Sequence, residues 1–402
     1  MSAADHRVWA DIDLGALCRN YRRVGELLAP GVGVLAVVKA DAYGHGAVPV
    51  ARVLSGEPSL WGFGVGDSAE ALELRAAGVT RPILILGTII EDEVHQVVKH
   101  DVRVCIHSMS RIESLETEAR RQGRRLSVHL MVDTGMGRLG SQPPRAAELA
   151  RHIDASEWLE LEGVASHLSS SRPGHPFADL QQDRLVQLLA ELEADDIRPP
   201  LVHFANTAAI LGGVGTGMAL VRPGISLYGM LAPELAPHAP DLEPVMSLRT
   251  QVVYLKDVPP GTPVGYNGTH VTSRPTRIAT LPVGYNDGLA YRLSNRGRAL
   301  VRGQLAPIVG AISMDYTTLD VGHIKGVSVG DVVTLIGQDG DQRIGIPDVA
   351  SLIGTIPYEV ACSVGKRVGR VYTRPTVDRS GEAGGSTGEA GAPDVAGASE
   401  SA

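Results

Sequence analysis

The sequence predicts an α/β protein in two parts, an N-terminal (β/α)8 barrel of the TIM type followed by a mainly β domain. Three observations predict it. From residue 32 short apolar runs alternate with amphipathic stretches, near Pro244 that rhythm gives way to short β-rich runs, and polar residues collect where the apolar runs end. A chain of 402 residues is long for one compact domain and fits two. Its apolar fraction, 44%, is ample for a large core.

Val8-Trp9-Ala10-Asp11-Ile12-Asp13 alternates like a strand that precedes the barrel and could join the β domain. The barrel is expected over 14–243, with strands at 32–39, 60–66, 82–87, 102–107, 126–132, 161–167, 201–205 and 219–225. Helical patterns such as Ser68–Gly78, Ser110–Gly123 and Asp179–Asp196 lie between them. The first starts on a Ser68 cap and stops at Gly78, as helices tend to. Eight such units suit a (β/α)8 barrel, and a doubly wound sheet of eight parallel strands has the same count.

The β domain is expected over 244–373, with β runs at Leu248–Leu255, Arg277–Pro282, Ala299–Val301, Ala306–Ile312 and Asp331–Ile336. Turn markers such as Pro259-Pro260-Gly261 and Gly337-Gln338-Asp339-Gly340 punctuate them. Residues 374–402 turn to Gly, Ser, Ala, Glu and Asp, a composition expected to stay disordered because it cannot offset its ordering entropy by burial.

No run approaches a membrane span, and the N-terminus lacks signal-peptide character. The three cysteines, Cys18, Cys105 and Cys362, are scattered and odd in number, so a reduced cytoplasmic setting with each thiol in the core is expected. A net charge of −8 without a basic block argues against nucleic acid as partner. Small-molecule chemistry is favoured.

Lys39 is the most informative residue. It follows the apolar run Val32–Val38 and opens the turn Ala40-Asp41-Ala42-Tyr43-Gly44-His45-Gly46, where active-site loops of a parallel barrel begin. A lysine in a partly dry pocket titrates toward neutrality and becomes a nucleophile for an aldehyde. Other polar groups fall at strand ends too: Asp133–Gly140 after the fifth, His167 at the sixth, Asn206-Thr207 at the seventh, Arg222-Pro223-Gly224-Ile225 at the eighth. In a barrel those ends share one face. The loops after the last two strands are a common phosphate site, and here they offer the Thr207 hydroxyl and the backbone N–H groups around Gly224.

Ala36-Val37-Val38-Lys39-Ala40-Asp41-Ala42-Tyr43-Gly44-His45-Gly46 closely resembles the pyridoxal-phosphate (PLP) attachment segment of the alanine racemases. Asp133–Gly140 is similar to the family's arginine motif, His203-Phe204-Ala205-Asn206-Thr207 to its His-x-Ala-Asn-Ser segment, and Arg222–Gly229 to the motif of its eighth strand. In the β domain, Val264-Gly265-Tyr266, Gly284-Tyr285-Asn286-Asp287-Gly288, Ser313-Met314-Asp315 and Tyr358-Glu359-Val360 have counterparts, so the resemblance spans residues 8 to about 373.

The resemblance implies a PLP-dependent amino-acid racemase, most simply one interconverting L- and D-alanine for cell-wall precursor supply. Lys39 would carry PLP and act as base on one face of the substrate, with Tyr266 as base on the other. Tyrosine ionises only near pH ~10 unperturbed, so it needs cationic help, and the family supplies it through His167 and Arg222. Arg222 would also donate to the pyridine nitrogen. Tyr43, Asn206, Thr207, Gly224, Ile225 and Tyr358 would complete the cofactor site, while Arg138, Met314 and Tyr285 would meet the substrate. No metal is implied. The family's sites are composite, built by a head-to-tail homodimer.

His203 reads as a core histidine, Cys362 as core, and His45 as a residue without a chemical task. Three positions depart from the family pattern: Met131 stands where many members have a carbamylated lysine bracing the arginine, and Ala311 and Tyr291 stand where arginines are frequent. Another small amino acid therefore stays open as substrate. So does a PLP-dependent decarboxylase of the same fold, although Lys39–Gly46 and Tyr266 favour a racemase.

Overall fold

The computed structural model describes residues 6–170 and 174–373, so the expected tail at 374–402 lies outside the described residues. Strand β1 (Val8–Asp13) runs straight into helix α1 (Leu14–Gly25), which Asp13 caps by accepting from the N–H groups of Gly15 and Ala16. Eight parallel strands then close on themselves: β2 (Gly33–Val37), β3 (Leu60–Val65), β4 (Ile83–Ile85), β5 (Arg103–Ile106), β6 (Leu126–Val132), β7 (Leu159–Ser166), β8 (Leu201–Asn206) and β9 (Leu220–Arg222). The pairing Gly33↔Leu220 and Val34↔Val221 joins last to first. Closure decides for the barrel over the doubly wound sheet.

Around it lie α2 (Lys39–Gly44), α3 (Ala47–Leu54), α4 (Ser68–Ala76), α5 (Val94–Lys99), α6 (Met109–Gln122), α7 (Pro143–Asp154), α8 (Pro176–Ala194) and α9 (Thr207–Gly212). One correction concerns α4, whose cap is Asp67 rather than Ser68, because the Asp67 carboxylate accepts the Glu70 N–H at 3.0 Å. Strand β6 shows how the pattern builds two layers. Leu126, Val128, Leu130 and Val132 pack outward into the main core, while Met131 joins Leu35, Leu84, Cys105 and Ala165 in a separate cluster filling the barrel. His129, between them in register, is fully buried in the same interior.

The β domain holds β10 (Met246–Gln251), β11 (Tyr254–Val258), β12 (Pro263–Val264), β13 (His270–Val271), β14 (Thr276–Leu281), β15 (Arg298–Val301), β16 (Gln304–Pro307), β17 (Thr317–Asp320), β18 (Val332–Asp339), β19 (Gln342–Ile344) and β20 (Gly369–Thr373). The largest sheet has the order β16-β15-β18-β10-β1-β20, with β19 on β18. The N-terminal strand therefore sits inside it, antiparallel to β10 and parallel to β20.

Three details differ from the sequence expectation. The run 248–255 is two strands, since β10 pairs β18 while β11 crosses to β14 in another sheet. The run 306–312 stops as a strand at Pro307. Two helices, α10 (Ile346–Ile353) and α11 (Pro357–Cys362), appear in the β domain, each opening with a proline in its first turn. Among the described residues no helix is long and apolar enough to cross a membrane.

Candidate active site

Where β2 ends, the backbone does something unusual. Ala40, Asp41, Ala42 and Tyr43 all adopt left-handed helical angles, with φ between 52° and 54°. Left-handed helix costs an L-residue roughly 1–2 kcal/mol each, so a run of four must be held from outside. Several bonds do so. The Asp41 carboxylate accepts the Ala47 N–H at 2.7 Å, and Arg370 of β20 donates twice to the Gly44 carbonyl at 3.2 Å. His45 Nδ1 lies 2.9 Å from the carbonyls of both Ala42 and Tyr43, so Nδ1 carries the proton. Burial pushes the His45 pKa down to about 4, which keeps the ring neutral. His45 thus has a structural task.

This turn delivers Lys39 into a cavity of about 340 Å³ at the C-terminal rim of the barrel. Ten of the predicted residues line it: Lys39, Tyr43, Arg138, His167, Asn206, Thr207, Arg222, Gly224, Ile225 and Tyr358. Met131 lines it as well. Burial, then the nearby Arg138 cation, lowers the Lys39 pKa, partly opposed by Glu70. Tyr43 is wedged between Tyr228 and Tyr358, with ring centroids 5.0 and 5.8 Å away. At the far corner the Thr207 hydroxyl accepts the Gly224 N–H at 3.1 Å and meets the Ser226 hydroxyl at 3.0 Å. Asn206 caps α9 by accepting the Ala209 N–H. A Cβ on Gly224 would stand 2.6 Å from the Tyr43 hydroxyl, so glycine keeps this corner open.

The loop carrying Arg138 is organised by Asp133, which accepts the N–H groups of Gly135 and Gly137 at 2.9 and 3.0 Å. The Arg138 guanidinium forms no hydrogen bond or ion pair within the chain among the described residues, and the Met131 thioether beside the cavity cannot supply one of useful strength.

Arg222 is buried, and burial lowers its pKa to about 10, still cationic at neutral pH. It donates to the carbonyls of Ser166, His203 and Phe204 at 2.7, 2.8 and 3.1 Å, and its NH2 lies 3.3 Å from His167 Nδ1. Burial, then the Arg222 and Arg138 cations, hold His167 neutral with a pKa of about 3. A polar chain leads from Arg222 down the barrel interior. Arg222 NH1 is 2.7 Å from His203 Nδ1, His203 Nε2 is 2.7 Å from His129 Nδ1, and His129 Nε2 is 3.1 Å from Glu162, which Arg103 pairs at 3.1 Å. A guanidinium only donates, so His203 Nδ1 accepts and its proton is on Nε2; the same logic puts the His129 proton on Nε2, donated to Glu162. His203 is the buried histidine the sequence suggested. His129, Glu162 and Arg103 were not foreseen, since single polar residues within apolar strands give no sign of facing one another.

The remaining predicted residues lie elsewhere. Tyr266, Tyr285 and Met314 are exposed on the β domain, by 70%, 46% and 53%, and none lines the cavity. They belong to adjoining segments: Gly265 packs on Gly310 and Ala311, and the Tyr285 N–H donates to the Ser313 carbonyl at 3.1 Å. Cys18 and Cys105 are buried, but Cys362 is exposed, contrary to the core expectation, because it ends the short helix α11.

Comparison with known proteins agrees with this architecture from end to end. Residues 12–232 match the family described as alanine racemase, N-terminal domain, and residues 245–372 match alanine racemase, C-terminal domain. An alanine racemase of Methanococcus maripaludis is 39% identical over 370 residues, covering 91% of this chain and 99% of that protein. A solved alanine racemase of Clostridium difficile superposes with a TM-score of 0.87 at 30% identity, covering 91% of this chain and 96% of that one. One from Bartonella henselae, solved with covalently bound pyridoxal phosphate, gives 0.80 at 32% identity, covering 91% and 99%. With both parts matched in order and nearly the whole chain covered, the protein belongs to the alanine racemase family.

Proposed function

We propose that the protein interconverts L- and D-alanine, using PLP and two bases, Lys39 and Tyr266. The observation that carries this reading is the Lys39 amine, its pKa lowered from the ordinary lysine value, in a rim cavity beside the fixed cation Arg222. The donor set fits PLP. There is an amine for its aldehyde, a corner kept open at Gly224 next to the Thr207 hydroxyl for its phosphate, and a guanidinium for its ring nitrogen. When bound, the cofactor would supply an electron-withdrawing ring that weakens the Cα–H bond of an attached amino acid.

The chain's own residues do the rest. Desolvation lowers the Lys39 Nζ pKa, in the direction of the neutral form that can take a proton. Arg222, tied to three carbonyls and His203, stays in place as a donor and keeps its proton, which limits electron withdrawal to what racemisation needs. Arg138, with no hydrogen-bond or ion-pair partner among the described residues, is available to a substrate carboxylate. Neutral His167 links toward the same cation.

Because Tyr266 is exposed and outside the cavity, we place it as the base of a neighbouring copy's site. In a homodimer, Tyr266 of the partner subunit would close over the cavity with Met314 and Tyr285 of the partner subunit. Incubation of a chiral amino-acid panel with the enzyme in deuterated water tests the reading. Alanine of both configurations carrying one deuterium at Cα is expected. Release of CO2, or exchange with a different amino acid only, would overturn it.

A further inference from the structure

The left-handed turn that begins after Lys39 is tied at its start by a residue with no role so far. Glu70, in the first turn of α4, accepts the Ala40 N–H on Oε1 at 2.6 Å and the Gly66 N–H on Oε2 at 2.7 Å. These two amides follow β2 and β3, neighbouring strands of the barrel. One carboxylate therefore staples two adjacent rim loops, with each oxygen engaged by a short, charge-assisted bond. The staple lies close to the lysine: a Cβ placed on Gly66 would be in ordinary contact with both, 3.4 Å from Glu70 Oε2 and 3.7 Å from Lys39 Cβ. Asp67 fixes the carboxylate's own helix by capping the Glu70 N–H.

We propose that Glu70 is the positioning residue of Lys39, clamping the loop after β2 to the loop after β3 and setting both the exit direction and the charge environment of the amine. The inference rests on the proposed role of Lys39. The charged or titratable groups near the amine are Arg138, Arg222, Glu70 and Cys362, with His167, Tyr43 and Tyr358 in the cavity wall. Burial, Arg138 and Arg222 push its pKa down, whereas Glu70 and Cys362 push it up. Partial desolvation raises the pKa of the Cys362 thiol even though the residue as a whole is exposed, and Glu70 is the carboxylate of that set.

The test uses the full chain freed of cofactor, as wild type and Glu70→Gln. Hydrogen exchange should become about tenfold faster at one of the Ala40 and Gly66 amides, the one left facing the new NH2, because glutamine keeps a single accepting oxygen, with β10 and β18 unchanged as a control on folding. The second readout is the pH profile of the rate at which PLP becomes fixable to Lys39 by borohydride. Neutral amine is the attacking form, so losing the carboxylate should move the midpoint of that profile to lower pH. A residue with only a packing role would lower the rate without moving the midpoint. Glu70→Asp, which keeps the charge one methylene short, should restore the midpoint but not the exchange protection, and it stands in if the Gln variant unfolds. An unmoved midpoint or unchanged exchange overturns the proposal. If wild type forms no adduct at Lys39, the PLP reading fails instead, and the exchange rates alone decide the clamp.

Discussion

At the scale of single residues, the site depends on a few contacts with little tolerance. Gly224 has φ −123° and ψ −91°, outside the regions open to other residues, and a methyl group there would also meet the Tyr43 hydroxyl at 2.6 Å, with Tyr43 held between two other tyrosine rings. Overpacking of that kind costs about 1–3 kcal/mol. Gly224→Ala should weaken PLP binding about tenfold or more, as read by cofactor titration; unchanged affinity would mean the corner is not the phosphate site. Met131 poses the opposite question, of something missing beside Arg138. Activity of the wild type should be independent of bicarbonate. In Met131→Lys, a new amine facing the cavity could capture CO2 and brace the guanidinium, so bicarbonate should lower the KM for alanine in that variant only. Bicarbonate dependence in the wild type would refute this account of position 131.

At the scale of elements, the left-handed turn α2 is the part where local preference and tertiary structure disagree. Four successive non-glycine residues with positive φ are kept there by Asp41 and His45 of the turn itself together with Glu70 of α4 and Arg370 of β20, three separate places along the chain. Glycine reaches φ > 0 without steric cost. Ala40 is exposed, so Ala40→Gly removes no packed side chain and should stabilise the protein by up to about 1 kcal/mol in urea unfolding. Net destabilisation would show that the turn is not strained at that residue. The interior of the barrel is a second special element. Its apolar layer sits beside the chain from Arg222 to Glu162, where each histidine is a donor on one side and an acceptor on the other.

At the scale of the whole molecule, buried neutral histidines link stability to pH. His45 and His167 have folded pKa values of about 4 and 3, below the ordinary 6.5, and burial depresses His129 and His203 in the same direction. A depressed histidine binds fewer protons folded than unfolded, so stability falls as pH drops below 6.5 and stops falling once the folded pKa is reached. For His45 alone this amounts to about 3 kcal/mol between pH 6.5 and 4. Urea unfolding at pH 7.5, 6 and 4.5 should show the decline; a flat profile would contradict neutral burial. The composite site makes another prediction at this scale. Lys39→Ala and Tyr266→Phe proteins should each be inactive, and mixing them after subunit exchange should restore about a quarter of wild-type activity, since half the dimers would be mixed and each would hold one intact site. Confirmed exchange without recovery would place Tyr266 within its own chain's site.

The repeating apolar runs determined the eight barrel strands to within a residue or two at most ends, because a strand buried on both faces must be apolar throughout, and that is visible in one dimension. The same holds for the gathering of Lys39, His167, Thr207 and Arg222, since the ends of parallel strands necessarily share a rim. Local pattern could not determine which polar side chains meet across the barrel. His129, Glu162, Arg103 and Glu70 come from separate strands and a helix, and their bonds exist only once the barrel closes. Nor could it foresee the left-handed turn at 40–43, because no residue there favours positive φ and only the surrounding bonds impose it. The split of 248–255 between two sheets follows from partners more than twenty residues away, β14 and β18. Periodicity fixed what repeats along the chain, and closure of the barrel decided which distant residues touch.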